Sequence, residues 1–306
     1  MDLRELRSLI TLAEAGSLTR TAGKVNLSAA AIHRQLRVLE EELGVRLYER
    51  VGRQLRLTPA AETLLPLARE LMAQYEAVQA AARDLKGVKR GRLRIGTGPT
   101  FSSYILPPLL EEFREQYPDV ELLVETGHTK QLTELLQNGL IDLMFLVYPD
   151  ASARPDFTVE ATWDFEVALV SGLRQPPPHR CRLADLEAHS FILYKKESIF
   201  DKIIEDYFAI YGFHPRVSMR LDNAEPIKGM LRSGFGLSML PIWTVAAELK
   251  NKSLLLIRQQ EPALMVKLAL VTRKLNYLPQ AVSAFIEMAK IFKWKRARMK
   301  ANYARR

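Results

Sequence analysis

Over the first 58 positions, apolar residues recur at helical spacing and then switch to strand spacing. Leu3, Leu6, Ile10 and Ala13 mark one face of a first helix that stops at Gly16. Ser17 caps a second short helix, "LTRTAGKV", whose Ala22 and Val25 point inward, and Asn26-Leu27 turns the chain. In the third, Ile32, Leu36, Leu39 and Leu43 step by 4, 3 and 4 between an N-cap at Ser28 and a left-handed stop at Gly44. "LYERVGRQLRLT" then alternates apolar and polar residues around Gly52, the pattern of a two-stranded wing with Arg53 near its tip. Three helices and a wing predict an all-α winged helix-turn-helix over residues 1–58.

Thr58-Pro59 reads as an N-cap with proline in the first helical turn. The linker helix it opens, residues 59–86, carries Leu64, Ala68, Leu71, Tyr75, Val78, Ala82 and Leu85 in alternating steps of 4 and 3. That is the a/d seam of a dimerising coiled coil. The alternative is a single amphipathic helix lying on its own domain, and Pro66 interrupts one backbone bond in either case. Residues 87–91 read as a hinge. From Leu93 the texture becomes alternating strands and helices: "LRIG", "VELLVE" and "IDLMFLV" are strands separated by "YILPPLLEEFREQY" and "KQLTELLQNG" as helices. This βαβαβ order demands parallel strands with right-handed crossovers. After Trp163 the unit repeats loosely, through "EVALV", "FILY", "SIFDKIIEDYFAIYG", "RVSMRL", "AEPIKGMLRSG", "LSML" and "VKLALV", and a closing helix begins near Pro279. The expected architecture is α/β overall, with a two-lobed, periplasmic-binding-protein-like effector domain over residues 92–306. Its lobe I spans 92–161 and 267–292, its lobe II 162–266, and a basic tail covers 293–306.

Charge sharpens this division. The chain of 306 residues carries a net +9, but not evenly. Residues 1–60 hold ten Lys/Arg against seven Asp/Glu, residues 293–306 hold seven basic residues and no acidic one, and the large middle is slightly acidic. Basic ends suit a polyanion partner. The single cysteine, Cys181, excludes an intramolecular disulfide framework. A charged N-terminus and the lack of any long apolar run predict a cytoplasmic protein with no membrane partner.

The outer face of the third helix holds the most informative chemistry. Ala29, Ala30, His33, Arg34 and Arg37 lie opposite the apolar stripe, while Glu40, Glu41 and Glu42 gather at the far end. A helix entering the major groove presents its N-terminal residues to base edges. Alanines there allow close approach and methyl contact with thymine, and Arg34 can chelate guanine O6 and N7. Arg37 suits a phosphate, His33 donates or accepts, and Arg53 suits a narrow minor groove. Ser17 and Thr19 can bond phosphate or simply cap. In the second region, "GTGPTFSS" runs from a strand into a helix, so Thr100, Phe101, Ser102 and Ser103 sit beside free backbone donors that favour an anion. This is not a dinucleotide fingerprint, because the third glycine and its acidic partner are missing. His128 and Thr129 follow the second strand on the carboxyl edge of the sheet, and Phe200 begins a helix that would face them. Cys181 with His179 and His189 lacks an orienting acid or oxyanion structure, and the five histidines show no metal spacing. No catalytic residue, metal or cofactor is expected. Trp163 and Trp243 read as packing residues.

With these elements placed, the chain resembles the LysR-type transcriptional regulators over almost its whole length. The resemblance lies in "AEAGSLTRTAGKVNLSAAAIHRQLRVLEEELGVRLYER" through "LTPAAETLLPLAR", in "SSYILPPLLEEFREQYPDVEL" and in "LRSGFGLSMLP". It implies a homotetramer, a dimer of dimers, that binds double-stranded promoter DNA through residues 28–40, Ser28 included, as the recognition helix. It also implies an inter-lobe cleft for a small-molecule co-inducer, with RNA polymerase as a further partner at the promoter. Many members carry Gln, Pro and Ser where this chain has Ala29, Ala30 and His33, whereas Arg34 matches; base preference is therefore this chain's own. The competing readings are a cytoplasmic solute-binding or sensor protein without a promoter-specific role, and an enzyme, for which no convergent acid, base or nucleophile is present.

Overall fold

A computed structural model of the chain describes residues 1–51, 54–84, 91–148, 157–174, 176–196, 198–274 and 277–292. Two compact units result, one built on Met1–Val88 and the other on most of the remaining chain. Arg53, Leu85, most of the expected hinge and the basic tail lie outside the described residues.

The first unit comprises α1 (Leu3–Ala15), α2 (Leu18–Val25), α3 (Ala29–Leu43), β1 (Tyr48–Val51), β2 (Gln54–Leu57) and α4 (Pro59–Asp84). Its helices begin and end where capping chemistry dictates. Asp2 accepts from Arg4 N–H while Glu5 accepts from Asp2 N–H, a closed capping box. Ser17 and Ser28 cap α2 and α3, each cap contributing about 1 kcal/mol. Gly16 and Gly44 close α1 and α3 at φ 63° and 68°, in the left-handed region. Leu6, Leu9 and Leu12 of α1 meet Ile32, Leu36 and Leu39 of α3 in one core. Leu43, the fourth position of the expected stripe, is instead exposed in the last turn of α3. Inside this apolar layer Ser8, 2% exposed, donates to Gln35 Oε1 at 2.6 Å and ties α1 to α3.

The linker helix corrects its expected seam. Ala68, assigned to the seam, packs instead with Ala61, Leu65 and Met72 onto the core of its own unit. At 100° per residue these four occupy one narrow arc. Leu67, Leu71, Tyr75 and Val78 occupy the adjacent arc, and all four are exposed, Leu67 by 60% and Val78 by 67%. The first half of the helix thus lies on its own domain, as the alternative reading has it, and a second apolar stripe is left uncovered.

The second unit runs β3 (Gly91–Thr97), α5 (Pro99–Tyr104), α6 (Leu106–Gln116), β4 (Val120–Thr126), α7 (Thr129–Gln137), β5 (Leu143–Tyr148), β6 (Phe157–Ser171), β7 (Arg180–Cys181), β8 (Ser190–Tyr194), α8 (Ile199–Ile210), β9 (Arg216–Leu221), α9 (Ala224–Arg232), β10 (Leu237–Pro241), α10 (Ile242–Lys250), β11 (Leu255–Leu256), β12 (Arg258–Gln259), β13 (Leu264–Arg273) and α11 (Gln280–Ile291). The main sheet has the order β4-β3-β5-β13-β6-β10-β8-β9, with β11 also on β6. As the βαβαβ pattern requires, β3 is parallel to β4 and β5, and β8 is parallel to β9 and β10. The centre departs from that pattern. β13 is antiparallel to both β5 and β6, and β6 is antiparallel to β10. "EVALV" is the second half of one 15-residue strand, β6, and not a separate element. β6 and β13 pair over ten positions and run through both halves of one continuous sheet. The single helix expected around residues 104–117 is two, broken at Ile105.

Away from the sheet, α5 and α9 are joined by an ion cluster around the buried Lys228, with Glu225 at its exposed edge. Lys228, 3% exposed, places its Nζ 2.7 Å from Glu225, 2.8 Å from Glu248 and 2.9 Å from the Thr244 carbonyl, and 5.0 Å from the Tyr104 ring centre. The Tyr104 hydroxyl donates to Glu225. Burial alone pulls the Lys228 ammonium down, but the two carboxylates and Tyr104 outweigh it and hold its pKa raised. Removing one partner of such a cluster strands the others, which typically costs 3–5 kcal/mol. Arg232, 3.5 Å from Glu248, remains as a second cation, so Lys228→Ala is expected to cost about 3 kcal/mol, the low end of that range, in a urea titration. A loss under roughly 1 kcal/mol would mean that the cluster contributes no more than an exposed pair.

Candidate nucleic-acid interface and ligand cleft

In the first unit, the caps and core of α3 fix which of its side chains reach outward. Ile32, Leu36 and Leu39 are fully buried, so Ala30, His33, Arg34 and Arg37 face solvent. Arg34 is exposed and makes no ion pair among the described residues. Ala29 is half-buried and packs against the core, which leaves Ala30 as the small residue on the outer face. The hydroxyls of Ser17 and Ser28 already accept from Arg20 N–H and Ala31 N–H. Ser17, Thr19, His33 and Arg37 line one polar groove that also takes in Tyr48 of the wing, whose ring meets His33 edge-on at 6.4 Å. Ser28, Ala29, Ala30 and Arg34 lie outside that groove.

Each glutamate at the far end of α3 has a separate occupation. Glu40 accepts from Leu47 N–H at 2.7 Å and starts the wing, Glu41 pairs with Arg37 at 3.4 Å, and Glu42 meets the amino terminus. The acidic block is thus tied to its own unit, and among the described residues the free cation of the helix is Arg34. Arg37, read from the sequence as a phosphate contact, begins in an exposed i,i+4 pair whose contribution is small and readily exchanged.

In the second unit a cavity of 830 Å³ opens at the carboxyl edges of β3, β4 and β8, where the topology of an open α/β sheet puts ligands. Thr100, Phe101, His128, Thr129 and Phe200 all line it. Ser102 is the exception: its hydroxyl donates to the Pro99 carbonyl at 2.8 Å and it forms no part of the wall. Ser103 behaves in the same way, at 2.9 Å. A hydroxyl three or four residues into a short helix is drawn to the preceding turn, which the strand-to-helix reading overlooked.

The wall holds more cationic and aromatic character than the sequence reading assigned. Lys130, Lys196 and Lys202 join His128 around it, with Asp222 the acidic residue of the described lining. Lys130 follows directly on His128 and Thr129, and Lys196 follows the carboxyl end of β8, so strand-end position was the available signal. The N-terminal turns of α7 and α8, the latter capped by Ser198, add their positive dipole ends. Phe101 and Phe145 stack at 4.4 Å, and Phe165 meets Trp243 at 3.9 Å. Trp243, expected only as packing, is part of this wall.

Two family models match the chain: the LysR substrate binding domain over residues 86–291, and the lysR-family bacterial regulatory helix-turn-helix over residues 3–62. The chain is 28% identical over 293 residues to the RuBisCO operon transcriptional regulator of Allochromatium vinosum, covering 94% of this chain and 95% of that one. It is 30% identical over 248 residues to the transcriptional dual regulator GltC of Bacillus subtilis, with 80% and 82% covered. Among solved structures it is similar to a full-length OxyR variant of Pseudomonas aeruginosa, with TM-score 0.77, 22% identity and 95% of each chain covered. It is also similar to full-length CbnR complexed with target DNA, with TM-score 0.62, 25% identity, and 97% and 100% covered. These relatives are regulators and not enzymes, and a match to a DNA-binding module weighs against the solute-binding alternative. Among the described residues no helix is long and apolar enough to cross a membrane.

Proposed function

Because this chain belongs to the LysR family of transcriptional regulators, we propose that it recognises its promoter through Ala30, His33 and Arg34, and that an anionic effector in the 830 Å³ cavity controls this binding. The observation carrying the DNA half is an unpaired, exposed arginine on the outer face of a capped α3 whose inner face is fully packed. Such a group keeps its full bidentate capacity for guanine. Arg37, Ser17 and Thr19 take phosphates, which fix register without reading sequence, from a groove whose lining also includes Glu40, Glu41 and Glu49. Placement of the chain in the cytoplasm and contact with RNA polymerase belong to the same reading. So does assembly as a dimer of dimers, supported by the uncovered face of α4.

The effector half rests on charge. Lys130 and His128 approach from the elements around β4, Lys196 and Lys202 from those around β8, and two helix N-termini add to them. An anion between these groups attracts both sides of the cavity toward each other. The test is a fluorescence anisotropy titration of the promoter duplex and of a scrambled duplex at several salt concentrations. Preference for the promoter, modulated by a small carboxylate, is the expected result; equal affinity for both duplexes would overturn it. A carboxylate at about 100 times its Kd stabilises the native state by roughly 2.7 kcal/mol, visible as a shift in melting temperature. Thr100→Val and Lys196→Ala should each reduce that shift and the effector's influence on DNA binding. An undiminished response would remove both residues from the pocket.

A further inference from the structure

Charge at the cavity is only part of its chemistry. Much of the remaining wall is aromatic: Phe101 on Phe145, Phe165 on Trp243, and Tyr194 beside Phe200 at 5.4 Å. Two donors in this wall are unsatisfied. Among the described residues Tyr194 Oη and Trp243 Nε1 have no hydrogen-bond partner, although Tyr194 is 1% and Trp243 7% exposed. Buried polar atoms ordinarily find partners, so an exception calls for a reason. Thr97 and Ser238 also carry unpartnered hydroxyls, but neither lines the cavity. β8, which ends at Tyr194, and β10, which ends two residues before Trp243, are parallel neighbours, so both residues stand at the same edge of the sheet. Burial raises the pKa of the Tyr194 phenol, so it stays an O–H donor, and an indole N–H can only donate.

We propose that the cleft binds an aromatic carboxylate carrying an uncharged hydrogen-bond acceptor at the end away from its carboxylate. This rests on reading the cavity as the effector site. The carboxylate lies toward Lys130, Lys196 and Lys202, the ring packs against the phenylalanines in offset or edge-on contact, and a carbonyl or ether oxygen takes the Tyr194 and Trp243 donors. A cavity of 830 Å³ lies in the range of about 300–1,000 Å³ that holds drug-sized organic ligands. A small aliphatic or inorganic anion would satisfy the lysines, yet leave the aromatic wall bare and both donors unpaired.

Isothermal titration calorimetry of the full chain with 4-acetylbenzoate, benzoate, succinate and inorganic phosphate tests this. The expected order is 4-acetylbenzoate first, benzoate about five- to tenfold weaker for want of the second acceptor, and no heat from succinate or phosphate at the same concentrations. Tyr194→Phe should bring 4-acetylbenzoate to within about twofold of benzoate while leaving benzoate unchanged. Lys196→Ala should weaken both aromatic acids alike. Because the Tyr194 hydroxyl has no partner among the described residues, the Phe variant is expected to melt at the native temperature; a lower value would assign that hydroxyl a structural bond and overturn its role as a ligand donor. Succinate or phosphate binding as tightly as the aromatic acids overturns the proposal and spares the anion cleft. Silence with all four probes overturns the proposal and withdraws support for the anion cleft as well. An acetylbenzoate preference that survives Tyr194→Phe overturns the donor assignment.

Discussion

Arg34→Ala is expected to lower affinity for the promoter by about 10- to 100-fold per half-site, the equivalent of one lost bidentate guanine contact. Affinity for random duplex should change far less, because that binding comes from phosphate neutralisation, and the slope of log K against log salt should move by no more than about one unit. The folded unit should not notice. Arg34 is exposed and unpaired, and substitutions at such positions stay within about 0.5 kcal/mol. This separates the residue from its neighbours on the same helix: Leu36→Ala, at a fully buried position, should cost 2–5 kcal/mol and abolish binding by unfolding the unit. Arg37→Ala should weaken promoter and random duplex to a similar extent, since a phosphate contact carries no sequence information. Anisotropy titrations of both duplexes, with melting curves alongside, distinguish the three outcomes. If Arg34→Ala retains its promoter preference, α3 does not read bases through this side chain.

The second large effect is expected in assembly. Leu71→Glu combined with Val78→Glu places charges in the uncovered stripe of α4, on residues that are 44% and 67% exposed in the single chain. Neither side chain supports its own unit, so the monomer should keep its melting behaviour. Packed against a second copy, each would bury apolar area worth about 1.5–3 kcal/mol, and the introduced like charges would face one another across the seam. Sedimentation velocity should therefore show a shift from oligomer to monomer. Promoter affinity should fall by about 10²–10⁴, the advantage of engaging two half-sites at once. Ala68→Glu makes the informative contrast: buried under its own unit, it should destabilise the fold instead of the assembly. An unchanged sedimentation profile for the double variant would show that α4 is not the pairing element.

The parts of the fold governed by local rules were legible. Ser17, Ser28, Gly16 and Gly44 bound the first three helices where capping chemistry puts them, and the period of Ile32, Leu36 and Leu39 identified the inner face of α3. Local periodicity cannot resolve which of two apolar arcs on one helix meets its own domain. Leu64, Ala68 and Leu71 satisfy a heptad equally well, and only the position of α1 and α3 decides that Ala68 turns inward. The same limit hid the continuity of β6, because a 15-residue strand with a half-exposed first part and a buried second part looks like two elements. In the cavity, Thr100, His128 and Phe200 were accessible through the strand-end rule. Tyr194 and Trp243 were not, since nothing in an isolated tyrosine or tryptophan indicates that its polar atom will lack a partner. Tyr104 and Lys228, more than a hundred positions apart, share a contact that no spacing pattern encodes.

The two long central strands have one more consequence. A rotation of one side of the sheet against the other would be taken up as torsion in β6 and β13, whose ten paired positions are interrupted by a register shift between Leu270 and Val271. Phe165 and Leu268 belong to those strands and also line the cavity. On the proposed effector reading, a molecule resting there would press on the twisting strands themselves. The amplitude of that response should scale with how far the guest reaches toward the two strands, which makes the readout graded in ligand length.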